Sequence, residues 1–272
     1  MHIPRILALG AAAAVASATL GAAAGEPPKA PSPDPRNFEG VWSISHPARV
    51  RADKSMYYGA QEPDAITHGR VLWPLDQKEP PFTAWGRAKF DAAFEANVNN
   101  RPLADMPSYC LPHGVPRIMI NPYPMQVVQS PGLILMLFEV NHNVRLIHMN
   151  QRPPAHPKST LMGYSIGHWE GDTLVVQTNG LSGESIFDEL GTPHSDALKL
   201  TERIRKIDGG RGLEDTFTID DPIAFTRPWQ TREVLAWKDG APLMEYICEE
   251  NNRNLPDAEG KTTANSGKTA VK

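Results

Sequence analysis

The sequence predicts a mainly β fold, an antiparallel β-barrel with one helix and long Pro-rich loops. Three observations predict it. First, 26 of the 272 residues are proline, about twice the usual share of roughly 5%. With 21 glycines beside them, they exclude a helical bundle, because proline breaks helices and has no N–H for a central strand. Second, short runs that alternate apolar and polar residues recur, separated by Asp-Gly and similar turns, the strongest local hairpin signal. Third, a single stretch has helical spacing. A two-sheet sandwich is the structural alternative.

In chain order, residues 1–24 read as a secretory signal: a start bearing Arg5, an uncharged apolar stretch from Ile6 to Ala24, and the small-residue site Ala22-Ala23-Ala24. A transmembrane anchor is the competing reading, disfavoured because the stretch is alanine-rich and weakly hydrophobic. Residues 25–37 form a Pro-rich linker, residues 38–254 a single barrel domain, and residues 255–272 a disordered tail, poor in large apolar side chains. Phe38–Ile44 opens the barrel. Thr83 caps a helix over Ala84–Val98. Strands are expected at Met125–Gln129, Leu133–Val140, Val144–Met149, Gly163–Trp169, Thr173–Thr178, Leu198–Ile207, Leu213–Ile219, Thr231–Lys238 and Pro242–Cys248. A closed barrel of nine or ten such strands removes exposed edges.

Composition narrows the partners. The formal net charge is −4, one unit more negative without Arg5, and no basic patch favours nucleic acid or an anionic membrane. No other segment reaches the ~18 apolar residues of a membrane-spanning helix, so the mature chain is expected not to insert in a membrane. The compartment is expected to be periplasmic or extracellular. There, Cys110 and Cys248, the two cysteines of the chain, are expected to form one disulfide; two separate buried thiols are the alternative. The oligomeric state is left open.

Several phrases carry a resemblance. FEGVW at 38–42 is similar to the Gly-x-Trp opening of lipocalin-like (calycin) barrels. YCLPHGVPRIM, NPYPMQVVQS, GYSIGHWEGDTLVVQT, PHSDALKLTERIRKID and DPIAFTRPW together resemble a family of uncharacterised exported bacterial proteins, over most of residues 80–250. The resemblance implies export and a barrel. It implies no reaction.

Chemistry is sought where charge interrupts apolar strands. Alternation puts Glu202 on one face with Leu198, Leu200 and Ile204, and Glu245 with Leu243 and Ile247. If these faces line the interior, both carboxylates need a cation or donors, and Arg145 and His148 are the nearby partners. Such groups suit acid–base catalysis, a structural ion-pair network, or, on the outer face, plain solvation. His194, in the loop Pro193–Asp196, is the candidate proton shuttle. The expected catalytic set is therefore Glu202, Glu245, His194 and Arg145. Trp42, Tyr123, Phe138, His148 and Tyr246 are the expected ligand-binding residues, for a small hydrophobic or aromatic molecule.

Three function readings result. The leading one is a small-molecule pocket run as a cofactor-independent lyase, isomerase or hydratase. The second is a non-catalytic carrier. The third is a serine hydrolase using Ser165 of Gly163-Tyr164-Ser165-Ile166-Gly167, with Asp188 and His194. Against it, the residues after Ser165 read as a strand rather than the helix of a nucleophile elbow. No phosphate-loop, dinucleotide or metal-ligand spacing occurs, so no cofactor and no metal are expected.

Overall fold

A computed structural model describes residues 30–44, 74–77, 79–98, 106–188 and 191–251. The expected signal at 1–24, the start of the linker and the expected tail at 255–272 lie outside the described residues. Among those described, nine strands close into one barrel in sequence order. They are β1 (Gly40–Ile44), β2 (Met125–Ser130), β3 (Leu133–Phe138), β4 (Val144–Met149), β5 (Tyr164–Glu170), β6 (Thr173–Asn179), β7 (Lys199–Ile207), β8 (Gly212–Asp220) and β9 (Trp229–Trp237). The sandwich alternative is thereby excluded.

Each strand expected between 38 and 238 forms within two residues of its expected bounds. Alternation and turn chemistry drive this. In β3 the inward residues Ile134, Met136 and Phe138 are buried while Leu133, Leu135 and Leu137 are half-buried. Helix α1 spans Ala84–Val98, and Thr83 caps it: its Oγ1 accepts from Gly86 N at 3.1 Å.

Two features differ from expectation. β4 and β5 run parallel, pairing Ile147 with Ser165 and Met149 with Gly167; every other pairing is antiparallel. An odd number of strands cannot close with antiparallel neighbours alone, so one parallel pair is forced. Residues 150–163 make the return along the barrel that this pair needs. The expected strand over 242–248 does not form. β9 spends its free edge on β1, pairing Trp237 with Trp42 and Leu235 with Ile44. The chain beyond it leaves the sheet and reaches the β3–β4 turn through a bridge between Val140 and Tyr246.

The two barrel ends differ. One carries the tight hairpin turns after β2, β5 and β7. Phe38 closes this end, packed edge-on against Trp169 at 5.2 Å, and its carbonyl accepts from Trp42 Nε1 at 2.8 Å. Residues 30–37 lie along it: Lys206 Nζ donates to the carbonyls of Ser32 and Asp34 at 2.8 and 2.9 Å. The other end carries α1 and the long loops. Beneath α1, Phe82, Phe187, Phe225 and Trp229 form a contiguous aromatic cluster, with centroids 5.3–6.4 Å apart.

Cys110 and Cys248 form a disulfide across 138 residues of sequence, Cα–Cα 5.5 Å. It ties the loop before β2 to the segment after β9. A loop of that length removes much unfolded-chain entropy. Cys248→Ser is expected to lower stability by about 3 kcal/mol, read from the urea midpoint, and to speed amide exchange in residues 241–251 before the barrel strands respond.

Candidate functional site

Three polar assemblies are built into this frame. The first is a belt inside the barrel, one inward residue from each of six consecutive strands: Arg145 (β4), Ser165 (β5), Thr178 (β6), Glu202 (β7), Asp215 (β8) and Glu233 (β9). Cross-strand register sets it, with Ser165 opposite Thr178 and Asp215 opposite Glu233. Arg145 and Glu202 are 1% and 0% exposed and form a bidentate ion pair. Arg145 Nη1 donates to Glu202 Oε1 at 2.7 Å, and Nη2 donates to Oε2. Nη2 also donates to Thr178 Oγ1 at 3.0 Å and Ser165 Oγ at 3.2 Å.

Burial opposes the charge on Arg145, and the adjacent Glu202 carboxylate more than compensates, raising the guanidinium pKa further. At Asp215 the neutral form is the favoured one. It is 1% exposed, and neither carboxyl oxygen has a hydrogen-bond donor among the described residues. Burial first, then the negative charge of Glu202, push its pKa well above the usual carboxylate range. A protonated Asp215 resolves both observations, since its O–H can then donate toward Glu202.

The second assembly is the loop between β6 and β7. Ser185 and His194 are buried and joined Oγ to Nε2 at 2.7 Å. His194 Nδ1 lies 3.2 Å from the Ser195 carbonyl, which makes Nδ1–H the donor and leaves Nε2 to accept from Ser185. Burial lowers the His194 pKa. Asp221 holds the loop, accepting from Ser195 N at 2.6 Å and Oγ at 2.8 Å.

The third assembly is a cleft of about 450 Å³. Pro107, Ile120, Val140 and the disulfide-bonded Cys248 supply apolar lining. His113, Arg117, Asn121, Asn141, Tyr123 and Tyr246 supply polar and aromatic groups. The Tyr123 and Tyr246 rings lie 4.7 Å apart, their hydroxyls 3.4 Å apart. Asn141 sits at φ 52°, a left-handed position that asparagine tolerates. Its Oδ1 accepts from Cys248 N at 2.9 Å, and its own N donates to the Tyr246 carbonyl at 3.0 Å. These bonds fix the C-terminal segment as one wall.

The expected site residues therefore fall in separate places. Arg145 and Glu202 come together as a closed pair. His194 binds Ser185 in a loop of its own. Glu245 is exposed, because its segment lies outside the sheet; its expected inward position is corrected. Trp42 and Phe138 are core residues. His148 stacks on Tyr164 at 4.7 Å, on the outward-facing register of β4. Tyr123 and Tyr246 do line the cleft.

Ser165 is not on an elbow. It lies within β5, 2% exposed, and its Oγ accepts from Arg145 Nε at 3.3 Å. The glycines of its motif serve the barrel: Gly163 enters β5 at φ 63°, and a Cβ on Gly167 would meet Ile147 Cγ2 at 2.8 Å. Asp188, the expected acid of that triad, accepts from Thr192 N at 3.0 Å and Oγ1 at 2.8 Å.

Asp215, Ser185, His113, Arg117, Asn121 and Asn141 do not stand out in the sequence. Only Asp215 leaves a signal there, its alternation with Leu213 and Phe217. No family model matches the chain, and no curated protein does.

Glu202→Gln leaves a buried guanidinium without its counter-charge and is expected to cost about 3–5 kcal/mol of stability, measured by chemical denaturation. Asp215 has a folded-state pKa above its unfolded one, so the folded chain holds a proton that the unfolded chain releases above about pH 4. Stability should therefore fall as pH rises from about 4 through the raised folded-state value. Asp215→Asn should remove that slope, seen as a flatter dependence of melting temperature on pH.

Proposed function

We propose that this is an exported small-molecule-binding barrel whose ligand site is the cleft between the Pro107–Tyr123 loop and the C-terminal segment. The observation that carries the reading is the convergence there of two packed tyrosines with His113, Arg117 and two asparagines. An apolar floor with a few convergent polar groups is the usual make-up of a small-molecule site. In the interior belt, Arg145 and Glu202 engage each other, and Arg145 also engages Ser165 and Thr178. The belt thus reads as structural, and the site sits on loops held by a rigid scaffold. Export is supported by the apolar start of the chain and by the disulfide.

Acid–base catalysis in the same cleft is the second reading, favoured by His113, the one imidazole in its lining among the described residues. A histidine in the lining can give a proton to a bound substrate or take one from it. On this reading Glu202 and Arg145 hold the barrel in shape rather than move protons.

Calorimetric screening of planar aromatic compounds tests the binding reading. Tyr246→Ala should weaken a compound that binds by about tenfold or more at an unchanged melting temperature. Mass spectrometry of the recovered compound separates the two readings. A carrier returns it unaltered; an enzyme converts it, and His113→Ala then stops conversion while binding persists.

A further inference from the structure

We infer that Tyr123 and Tyr246 form a site of oxidative cross-linking, at which a one-electron oxidant joins the two rings by a carbon–carbon bond. The bond gives the chain a second covalent staple beside the disulfide. The inference goes beyond the binding reading and stands whether or not the cleft takes a ligand.

The two rings are held together by their backbones. Tyr123 precedes β2 and packs against the core, and its N donates to Asn121 Oδ1 at 3.4 Å. Tyr246 lies in the segment after β9. Its carbonyl accepts from Asn141 N at 3.0 Å, and Cys248, two residues on, donates its N to Asn141 Oδ1 at 2.9 Å and is bonded to Cys110. The ring centroids are 4.7 Å apart with 48° between the planes, and the hydroxyls are 3.4 Å apart. An ortho carbon flanks the carbon that bears the hydroxyl, so hydroxyls this close bring the ortho positions alongside. Holding both reactants in place makes their coupling intramolecular. Tyr246 is 37% exposed, so an oxidant reaches the pair from solvent. Tyr164, by contrast, stacks on His148.

A haem peroxidase with hydrogen peroxide is the class of oxidant that fits. Peroxide takes two electrons from the peroxidase, which then takes one electron from each tyrosine, and each phenol releases its proton to water. The two phenoxyl radicals couple at their ortho carbons. As the carbon–carbon bond forms, each ortho hydrogen passes to the phenol oxygen of its own ring. Two phenols and one peroxide thus give one biphenol and two waters. The new bond joins the same pieces of chain as Cys110–Cys248, the loop before β2 and the segment after β9. Thiol exchange opens the disulfide and leaves the biphenol intact.

Peptide mapping of the native chain after peroxidase and peroxide tests this, with free tyrosine in the same mixture as a check that the oxidant works. Trypsin cuts after Arg117, so Tyr109 and Tyr123 fall in different peptides. After dithiothreitol, the peptides 118–145 and 239–253 should remain joined, lighter by H₂ than their sum, from an intact chain of single-chain mass. Tyr246→Phe should abolish this species, and Tyr109→Phe should leave it. The cross-linked chain should also keep slow amide exchange in residues 241–251 under dithiothreitol, which the untreated chain loses. Absence of the joined peptides while free tyrosine couples overturns the inference. So does coupling found only between chains, or a joined species that survives Tyr246→Phe.

Discussion

The ion pair between Arg145 and Glu202 spans the inside of the barrel, from β4 to β7, and the rest of the interior is arranged around it. A guanidinium and a carboxylate at 1% and 0% exposure are tolerable only when every hydrogen-bonding position is matched. Ser165 and Thr178 supply that matching from the intervening strands. Shifting β5 by one residue would turn Ser165 outward and leave Arg145 short of a partner. The pair thus fixes register across the one parallel junction, where a hairpin turn cannot do so. Hydrophobic burial supplies most of the driving force for folding, and the polar belt decides which of several similar barrels results.

Loops carry what the barrel leaves unfilled. Prolines are sparse in the strands and frequent in segments such as 107–124, where they limit the conformations the chain loses on folding. The cleft draws on four pieces, the loop before β2, the β3–β4 turn, the β6–β7 loop through Asp188 and the segment after β9. Their convergence depends on Cys110–Cys248, the Val140–Tyr246 bridge and the Asn141 hydrogen bonds.

A feature was legible in the sequence where its determinants were local. Strands and turns were, because alternation and Asp-Gly pairs act over a few residues. Arg145 and Glu202 were, because a lone charge on an apolar face is conspicuous. Asp215 was hidden because Glu214 stands beside it, so its alternation with Leu213 and Phe217 is not conspicuous. The structure sends Glu214 outward to Arg205 at 2.8 Å and Asp215 inward. Glu245 was misplaced because LMEYICE alternates as a strand should; whether it pairs depends on a free sheet edge, and β1 had taken it. The cleft was invisible because no window of sequence contains both His113 and Tyr246.

The neighbours β1 and β9 are the first and last strands of the barrel. The closure is therefore non-local in the extreme, and it waits on nearly the whole chain. A polypeptide still emerging from the ribosome has β1 without the partner that completes its sheet, and contacts so distant in sequence form slowly. On the export reading proposed above, that delay has a use. A barrel that cannot shut until its end is made stays loose long enough to be threaded through a narrow pore. The same topology makes the last strand the latch, so a chain truncated before residue 229 has no closed barrel to fall back on.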